Sequence, residues 1–172
     1  MAKGESETDR RLKERRLIFY EDDVERINKA LENYQALSKS KCNILIDIEG
    51  HPVTQVGTTE GINLETISAL VAASFAATKE VAKILGQDEF TTLTHQGKLE
   101  SIQLTLVGER TILATIFDNN TTIGMVMFYT KELVEKLNVV FKEIGSRKRD
   151  VKFEEGFESM AKDVLDDMFG DV

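Results

Sequence analysis

The stretch "TISALVAASFAATKEVAKILG", residues 66–86, has alanines where a helix buried in a core would carry larger side chains. Asn63 is a typical N-cap residue and Gly86 is placed to end a helix, so the sequence predicts a helix between them. One stripe of its helical wheel is typical of a side that packs on a sheet, and contains Ile67, Val71, Ser74, Thr78, Val81 and Leu85. The other side contains Ala69, Ala72, Ala73, Ala76 and Glu80.

The alanine side has two interpretations. Alanine is the best helix former, so it suits any exposed helix surface. An ordinary exposed surface would carry more Lys and Glu, however, and residues 69–77 contain neither. Small side chains let another backbone approach closely, although burying each one contributes little hydrophobic free energy. We therefore predict that this side is a contact surface for other helices.

The remaining elements follow from periodicity and turn residues. They are a helix over 21–37, a hairpin over 42–57, strands over 89–96, 99–107 and 110–117, and a helix over 122–144. Strands joined by tight turns are antiparallel. The predicted fold class is α/β of the α+β sandwich type, with the order α-β-β-α-β-β-β-α and a five-stranded antiparallel sheet.

The segment "EFTTLTHQ", residues 89–96, is a candidate edge strand because its threonines are polar yet favour strands. An edge strand offers unpaired backbone donors and acceptors to a second chain, and an identical copy is the simplest partner. We predict a dimer edge at Phe90, Thr92 and Thr94. A plain solvated edge is the alternative.

Three regions are predicted along the chain: a polar arm over 1–19, a domain over 20–146 and an acidic amphipathic tail over 147–172. The basic sequence "SRKRD", residues 146–150, is a candidate hinge. Residues 150–172 contain eight acids against two lysines, a net charge of −6. The apolar positions that predict a partner-binding helix in the tail are Met160, Val164, Leu165, Met168 and Phe169.

Composition excludes several classes of function. The chain has 172 residues, 41% of them hydrophobic and 30% charged, and a net charge of −8. Lys and Arg are not clustered as nucleic-acid binding requires, and no apolar run has the length of a membrane span. We expect a cytoplasmic protein that neither binds nucleic acid nor inserts into a membrane. The single cysteine, Cys42, is predicted to be a small buried side chain.

No reaction chemistry emerges from the residues. A glycine-rich phosphate loop is missing from the sequence, and His51 and His95 are too few to form a metal site without several carboxylates. Asp118, Asn119 and Asn120 follow a predicted strand, where such residues form turns and caps. We therefore expect no catalytic residue, no metal and no cofactor.

With these residues noted, the chain resembles the Roadblock/LC7 family over about residues 20–144. The resemblance rests on the order of helices and strands, the first hairpin "ILIDIEGHPV" and the small-residue second helix. Three further segments, "RLIFYEDDVERINKALE", "VGERTILATIFDNNTTIGMV" and the terminal "DVLDDMFGDV", are similar to bacterial members that regulate gliding motility and cell polarity.

This resemblance implies a homodimer whose second helices lie side by side across a continuous sheet. It implies that the dimer binds an MglA-like small Ras-like GTPase and accelerates GTP hydrolysis without supplying an arginine finger. It also implies a link between the C-terminal helix and nucleotide exchange, and recruitment to a cell pole. The alternatives are a scaffold that tethers a GTPase or motor without altering its turnover, and a small-molecule sensor, which would need a cavity with convergent polar groups.

Overall fold

The computed structural model describes residues 18–58 and 60–169, and for residues 148–169 it describes the backbone alone. The helices are α1 (Glu21–Ser38), α2 (Leu64–Ile84) and α3 (Ile123–Phe169). The strands are β1 (Cys42–Asp47), β2 (Pro52–Gly57), β3 (Thr92–Gln96), β4 (Glu100–Val107) and β5 (Thr111–Asp118). The predicted order of elements is confirmed.

All five strands form one antiparallel sheet in the order β2-β1-β5-β4-β3. The predicted sheet is therefore confirmed, and β3 lies at an edge as expected. Because β2 and β3 are at opposite edges, α2, which connects them, must cross one face of the sheet.

The α2 face of the sheet is apolar. Val71 and Phe75 of α2 pack against the side chains of alternate residues on three strands. Those buried strand residues are Cys42, Ile44, Ile46, Leu104, Ile112, Ala114 and Ile116. Cys42 is fully buried, as predicted, and burial raises the pKa of its thiol to about 11.

The opposite face of the sheet packs against α1 and α3 through buried polar groups. The Tyr34 hydroxyl lies 2.8 Å from Thr130 Oγ1 and 3.2 Å from Thr115 Oγ1. Thr130 Oγ1 donates its only hydrogen to the Val126 carbonyl at 2.7 Å. Tyr34 must therefore donate to Thr130, and Thr115 must donate to Tyr34. Gln103 Nε2 also donates to Thr130 Oγ1, at 3.3 Å.

The neighbouring interior strands β1 and β5 are buried almost throughout because both faces of the sheet are covered. The ends of α1 follow from local chemistry. Asp23 in its first turn accepts a hydrogen bond from the Tyr20 amide at 3.1 Å, and Lys39 ends the helix in the left-handed conformation with φ 59°. Its buried side contains Ile27, Leu31 and Tyr34.

Helix α3 is longer than predicted. We expected it to end near Ile144, before a hinge over 146–150, but its backbone is helical to Phe169. Arg and Lys are good helix formers and this segment contains no proline, so nothing in it interrupts the backbone hydrogen bonds. The side chains of Met160, Val164, Leu165, Met168 and Phe169 lie outside the described residues, as does the predicted arm up to residue 17.

The chain divides into two compact units. One unit, Tyr20–Val140, contains the sheet, α1, α2 and the first part of α3. In the other, the rings of Phe19 and Phe141 meet edge to face with centroids 5.8 Å apart. Within the described residues, no helix is long and apolar enough to cross a membrane.

Replacing Tyr34 with phenylalanine tests the buried polar layer. The change removes the hydroxyl that joins Thr115 to Thr130, so the free energy of unfolding should fall by about 1–3 kcal/mol, as for a buried group that loses its partner. Urea unfolding followed by circular dichroism measures this. Tyr129→Phe is the control, since the Tyr129 hydroxyl makes no hydrogen bond within the described residues. Equal stability of the two variants would contradict the network.

Candidate protein–protein interface

Helix α2 begins at a side-chain cap and makes one close backbone contact with a turn of the sheet. The Asn63 side chain accepts a hydrogen bond from the Thr66 amide at 2.8 Å, as expected of an N-cap. Gly50, in the turn between β1 and β2, has φ 95°, and a Cβ there would lie 3.0 Å from the Ala69 Cα. Glycine and alanine at these positions let the helix approach this turn closely.

The inner side of α2 differs from the predicted one. Its buried residues are Ser68, Val71, Ala72, Phe75 and Ala82. Val81 and Leu85, predicted to face the sheet, are 48% and 63% exposed, so the prediction is wrong for both. The wheel omitted Phe75, whose large apolar ring dominates the packing and turns the helix towards it.

The outer side of α2 keeps most of the predicted alanine surface. Ala69, Ala73 and Ala76 are exposed, and Glu80 forms an exposed ion pair with Lys83 at 2.6 Å. Ala72 is 6% exposed and lies on the inner side, contrary to the wheel. We call the three alanines with Glu80 the outer face of α2. That it binds a partner stays a prediction.

Exposed apolar side chains extend this surface, and the sequence reading missed them. Leu70 is 65% and Ile84 is 84% exposed. Leu70, Ala77 and Ile84 recur every seven residues, which is the spacing of a helix-packing seam and could have identified them. An exposed apolar stripe on a long helix is typical of a surface that another protein covers.

In the edge strand β3, three residues have backbone hydrogen-bonding groups that do not bond to β4. The Leu106 amide donates to the Thr91 carbonyl at 2.9 Å, so these two residues form a hydrogen-bonded pair of the ladder. Such pairs alternate along antiparallel strands, so Leu93 and His95 also bond to β4. The backbone N–H and C=O groups of Thr92, Thr94 and Gln96 therefore point away from the sheet.

The other edge, β2, is less suited to pairing. It begins with Pro52, which has no N–H to donate, and the register between β1 and β2 shifts between Leu45 and Ile46. Proline and bulges are features that protect an edge from pairing. A second strand therefore has a better template at β3, which includes the predicted Thr92 and Thr94, whereas Phe90 precedes the strand.

The polar residues considered for chemistry have structural roles or lie at the surface. Asp118 Oδ1 accepts from the Asn120 amide at 2.9 Å, which is the turn predicted for this corner. His51 and His95 are both exposed. Among the described residues, no group of three or more His, Cys, Asp or Glu side chains could hold a metal ion.

Comparison with known proteins identifies the family. A model of the Roadblock/LC7 domain matches residues 27–117, a range that includes α2 and all five strands except the last residue of β5. The chain belongs to the Roadblock/LC7 family. Its outer face of α2 and its β3 edge both lie within the matched domain, whereas the acidic tail lies beyond it.

Within the Roadblock/LC7 family, this chain is similar to solved structures of MglB. MglB of Myxococcus xanthus is 30% identical, with a TM-score of 0.70, and the match covers 74% of this chain and 96% of that one. The gliding protein MglB of Thermus thermophilus is 28% identical, with a TM-score of 0.68 and the same coverage. A structure of MglB in a tetrameric arrangement is 28% identical, with a TM-score of 0.69 and again 74% and 96% covered. No curated protein sequence matches the chain.

Replacing Thr94 with proline tests the outward direction of the β3 backbone groups. The Thr94 amide does not bond to β4, so the fold should persist and the melting temperature should change little, while any strand paired with this edge should be lost. Thermal unfolding and sedimentation equilibrium measure the two effects. Leu93→Pro is the control, because it removes a ladder hydrogen bond between β3 and β4 and should clearly lower the melting temperature. Similar melting of both variants would contradict the assignment.

Proposed function

We propose that this protein is a homodimeric regulator that accelerates GTP hydrolysis by an MglA-like small Ras-like GTPase and has no active site of its own. The observation that carries the proposal is the outer face of α2. There Ala69, Ala73 and Ala76 are exposed on a chain 30% identical to Myxococcus xanthus MglB over 96% of that protein.

Two features support a homodimer. The outward groups of Thr92, Thr94 and Gln96 form a template for an identical antiparallel strand, which would join two sheets into one. MglB has been solved in a tetrameric arrangement, so a similar protein assembles with itself. A stable dimer of this kind should bury on the order of 1,600 Å².

The outer face of α2 is the proposed contact for the GTPase as well as for the second copy. Its small side chains allow a partner backbone to lie close, and the apolar Leu70 and Ile84 beside them provide area to bury. The same helix packs through Phe75 on the rigid core of the sheet, so this surface is held in a fixed geometry.

Activation would proceed by rearranging the GTPase rather than by donating a catalytic arginine. The Arg110 side chain is 14% exposed, and its Nη2 donates to Glu49 Oε1 at 2.8 Å, which ties together two turns of the sheet. An arginine held in this way cannot extend into another protein's active site without losing that ion pair. Arg110 is therefore not a free catalytic arginine, and in the proposed mechanism the catalytic groups are the partner's own.

Replacing Ala73 with arginine should abolish stimulation of GTP hydrolysis while the fold survives. A long charged side chain there separates the backbones and would lose its hydration if it were buried. Single-turnover GTP hydrolysis by the MglA-like protein, with and without each variant, measures the effect. Ala36→Arg is the matched control, since Ala36 is exposed on α1, across the sheet.

The masses of both variants decide how a loss is interpreted. A dimeric Ala73→Arg protein without stimulation places the GTPase on α2, and a monomeric one places the second copy there. Full stimulation by Ala73→Arg would remove the outer face of α2 from the mechanism. Wild-type binding with unchanged GTP turnover would instead favour the scaffold function.

Deleting residues 150–172 should separate hydrolysis from nucleotide exchange. The segment carries a net charge of −6 and, by its apolar spacing, can bind a partner as an amphipathic helix. Activation of hydrolysis and the dimer should persist, while release of a fluorescent GDP analogue from the GTPase should slow. Equal release rates with full-length and truncated protein would remove the exchange role from the tail.

A further inference from the structure

Helix α3 continues past the unit that contains the sheet, and we call residues 141–169 the α3 extension. Its first turn is buried, since Phe141 is 7% and Ile144 is 3% exposed. Both residues belong to the second compact unit, which consists of Met1–Phe19 and Phe141–Val172. The beginning of the α3 extension is therefore held by packing, in a unit that also contains the N-terminal end of the chain.

The half-buried ring of Phe19 packs against this first turn. It meets the Phe141 ring edge to face, with centroids 5.8 Å apart and an angle of 70° between the ring planes. Aromatic pairs prefer this geometry, because the positive edge of one ring points at the negative face of the other. Phe19 directly precedes Tyr20, whose amide donates to Asp23 at the start of α1. The contact thus comes from a part of the chain where hydrogen bonds fix the backbone.

The rest of the α3 extension is a weak helix by composition. Gly145 and Gly156 disfavour it, because glycine loses more backbone freedom on folding than any other residue. Residues 147–149, Arg-Lys-Arg, place three positive charges within one helical turn. Isolated helices are marginal in water, because forming the first turn costs more than adding residues to an existing one. The backbone is nevertheless helical to Phe169, which indicates that a contact outside this segment stabilises it.

We propose that Phe19 anchors the α3 extension: by fixing the first turn through Phe141, it keeps the helix continuous into the acidic tail. A turn that is already formed removes the cost of nucleation, so the following residues join the helix one hydrogen bond at a time. The N-terminal end of the chain thereby controls the order of its C-terminal end.

This anchor has a consequence for nucleotide exchange, which rests on the function proposed for the tail. A partner that binds residues 150–172 as a helix orders less of the chain if the helix is already formed, so less conformational entropy is lost on binding. An anchored extension should therefore act on the GTPase more effectively than one that is released at Phe19.

Attraction between the charged ends of the chain is the alternative to a ring contact. Residues 10–16 contain five basic residues and one acid, a net charge of +4, against −6 for residues 150–172. We assign the anchor to the rings because their contact is observed at the first turn of the α3 extension. Salt distinguishes the two forces, because it screens exposed charges and leaves a contact between rings in place.

Replacing Phe19 with alanine tests the anchor. Amide hydrogen exchange of residues 145–169, measured by mass spectrometry, should become at least about tenfold faster, a change of about 1.4 kcal/mol in the free energy of opening. Phe128→Ala is the matched control, because Phe128 makes a similar edge-to-face pair with Tyr129 in the unit that contains the sheet. Exchange within β5 should stay slow in both variants, which verifies that the domain is folded.

Three results of this experiment would overturn the proposal. One is unchanged exchange of residues 145–169 in Phe19→Ala. Another is exchange of these residues in the unmodified protein that is as fast as in an unstructured chain. The third is an α3 extension that about 1 M NaCl loosens in the unmodified protein as much as Phe19→Ala does, because the charges would then be the anchor.

The substitution Gly145→Ala separates helix order from a simple loss of packing. A Cβ at Gly145 would meet nothing within 4 Å beyond the backbone of its own helix, so alanine fits there, and alanine favours a helix. The double variant Phe19→Ala with Gly145→Ala should regain part of the lost protection from exchange. Exchange as fast as in Phe19→Ala alone would show that Phe19 does not act through the order of the helix, and would reject the anchor.

Nucleotide release from the MglA-like GTPase separates this inference from the proposed function. If Phe19→Ala loosens the α3 extension and slows release of a fluorescent GDP analogue relative to the unmodified protein, both are supported. If it loosens the extension but the unmodified protein itself does not alter release, the exchange role of the tail fails and the anchor stands. A fully protected extension in Phe19→Ala rejects the anchor alone, whatever the release rates.

Discussion

The packing of Val71 and Phe75 on the apolar face of the sheet is the contact on which the rest of the structure depends. Because β2 and β3 form opposite edges, the chain between them must cross a face, and this contact fixes where it crosses. It turns Ala69, Ala73 and Ala76 outward and leaves β3 as an open edge. The surfaces assigned to the second copy and to the GTPase follow from that one helix position.

The two faces of the sheet achieve stability differently, which suits their roles. On one face, hydrogen bonds between Tyr34 of α1, Thr115 of β5 and Thr130 of α3 join the two helices to the sheet. Because buried hydroxyl groups must be paired, these bonds fix the positions of the helices. The α2 face is apolar and carries a single helix that leaves part of it uncovered. A partner protein that binds by burying apolar surface is therefore expected on the α2 face.

Much of the fold could be predicted from the sequence because its signals are local. Asn63 and Asp118 act as the cap and turn residues that their chemistry indicates, and the threonines of β3 lie at an edge. Mistakes arose where a local signal competes with packing. The helical-wheel prediction omits Phe75 and therefore places Val81 and Leu85 on the side facing the sheet, whereas both are exposed. The basic segment 146–150 predicts a hinge, whereas its backbone is helical.

The sequence by itself determined the order of elements, the antiparallel sheet, the buried Cys42 and the small-residue side of α2. These depend on periodicity, turn chemistry and side-chain size, which neighbouring residues specify. Only the tertiary structure decided that Ala72 faces inward, that Ile84 and Leu85 project, and that Ile67 and Ile116 border one groove. Such facts depend on how a helix rotates and slides on a sheet, and contacts between residues distant in the chain set that rotation.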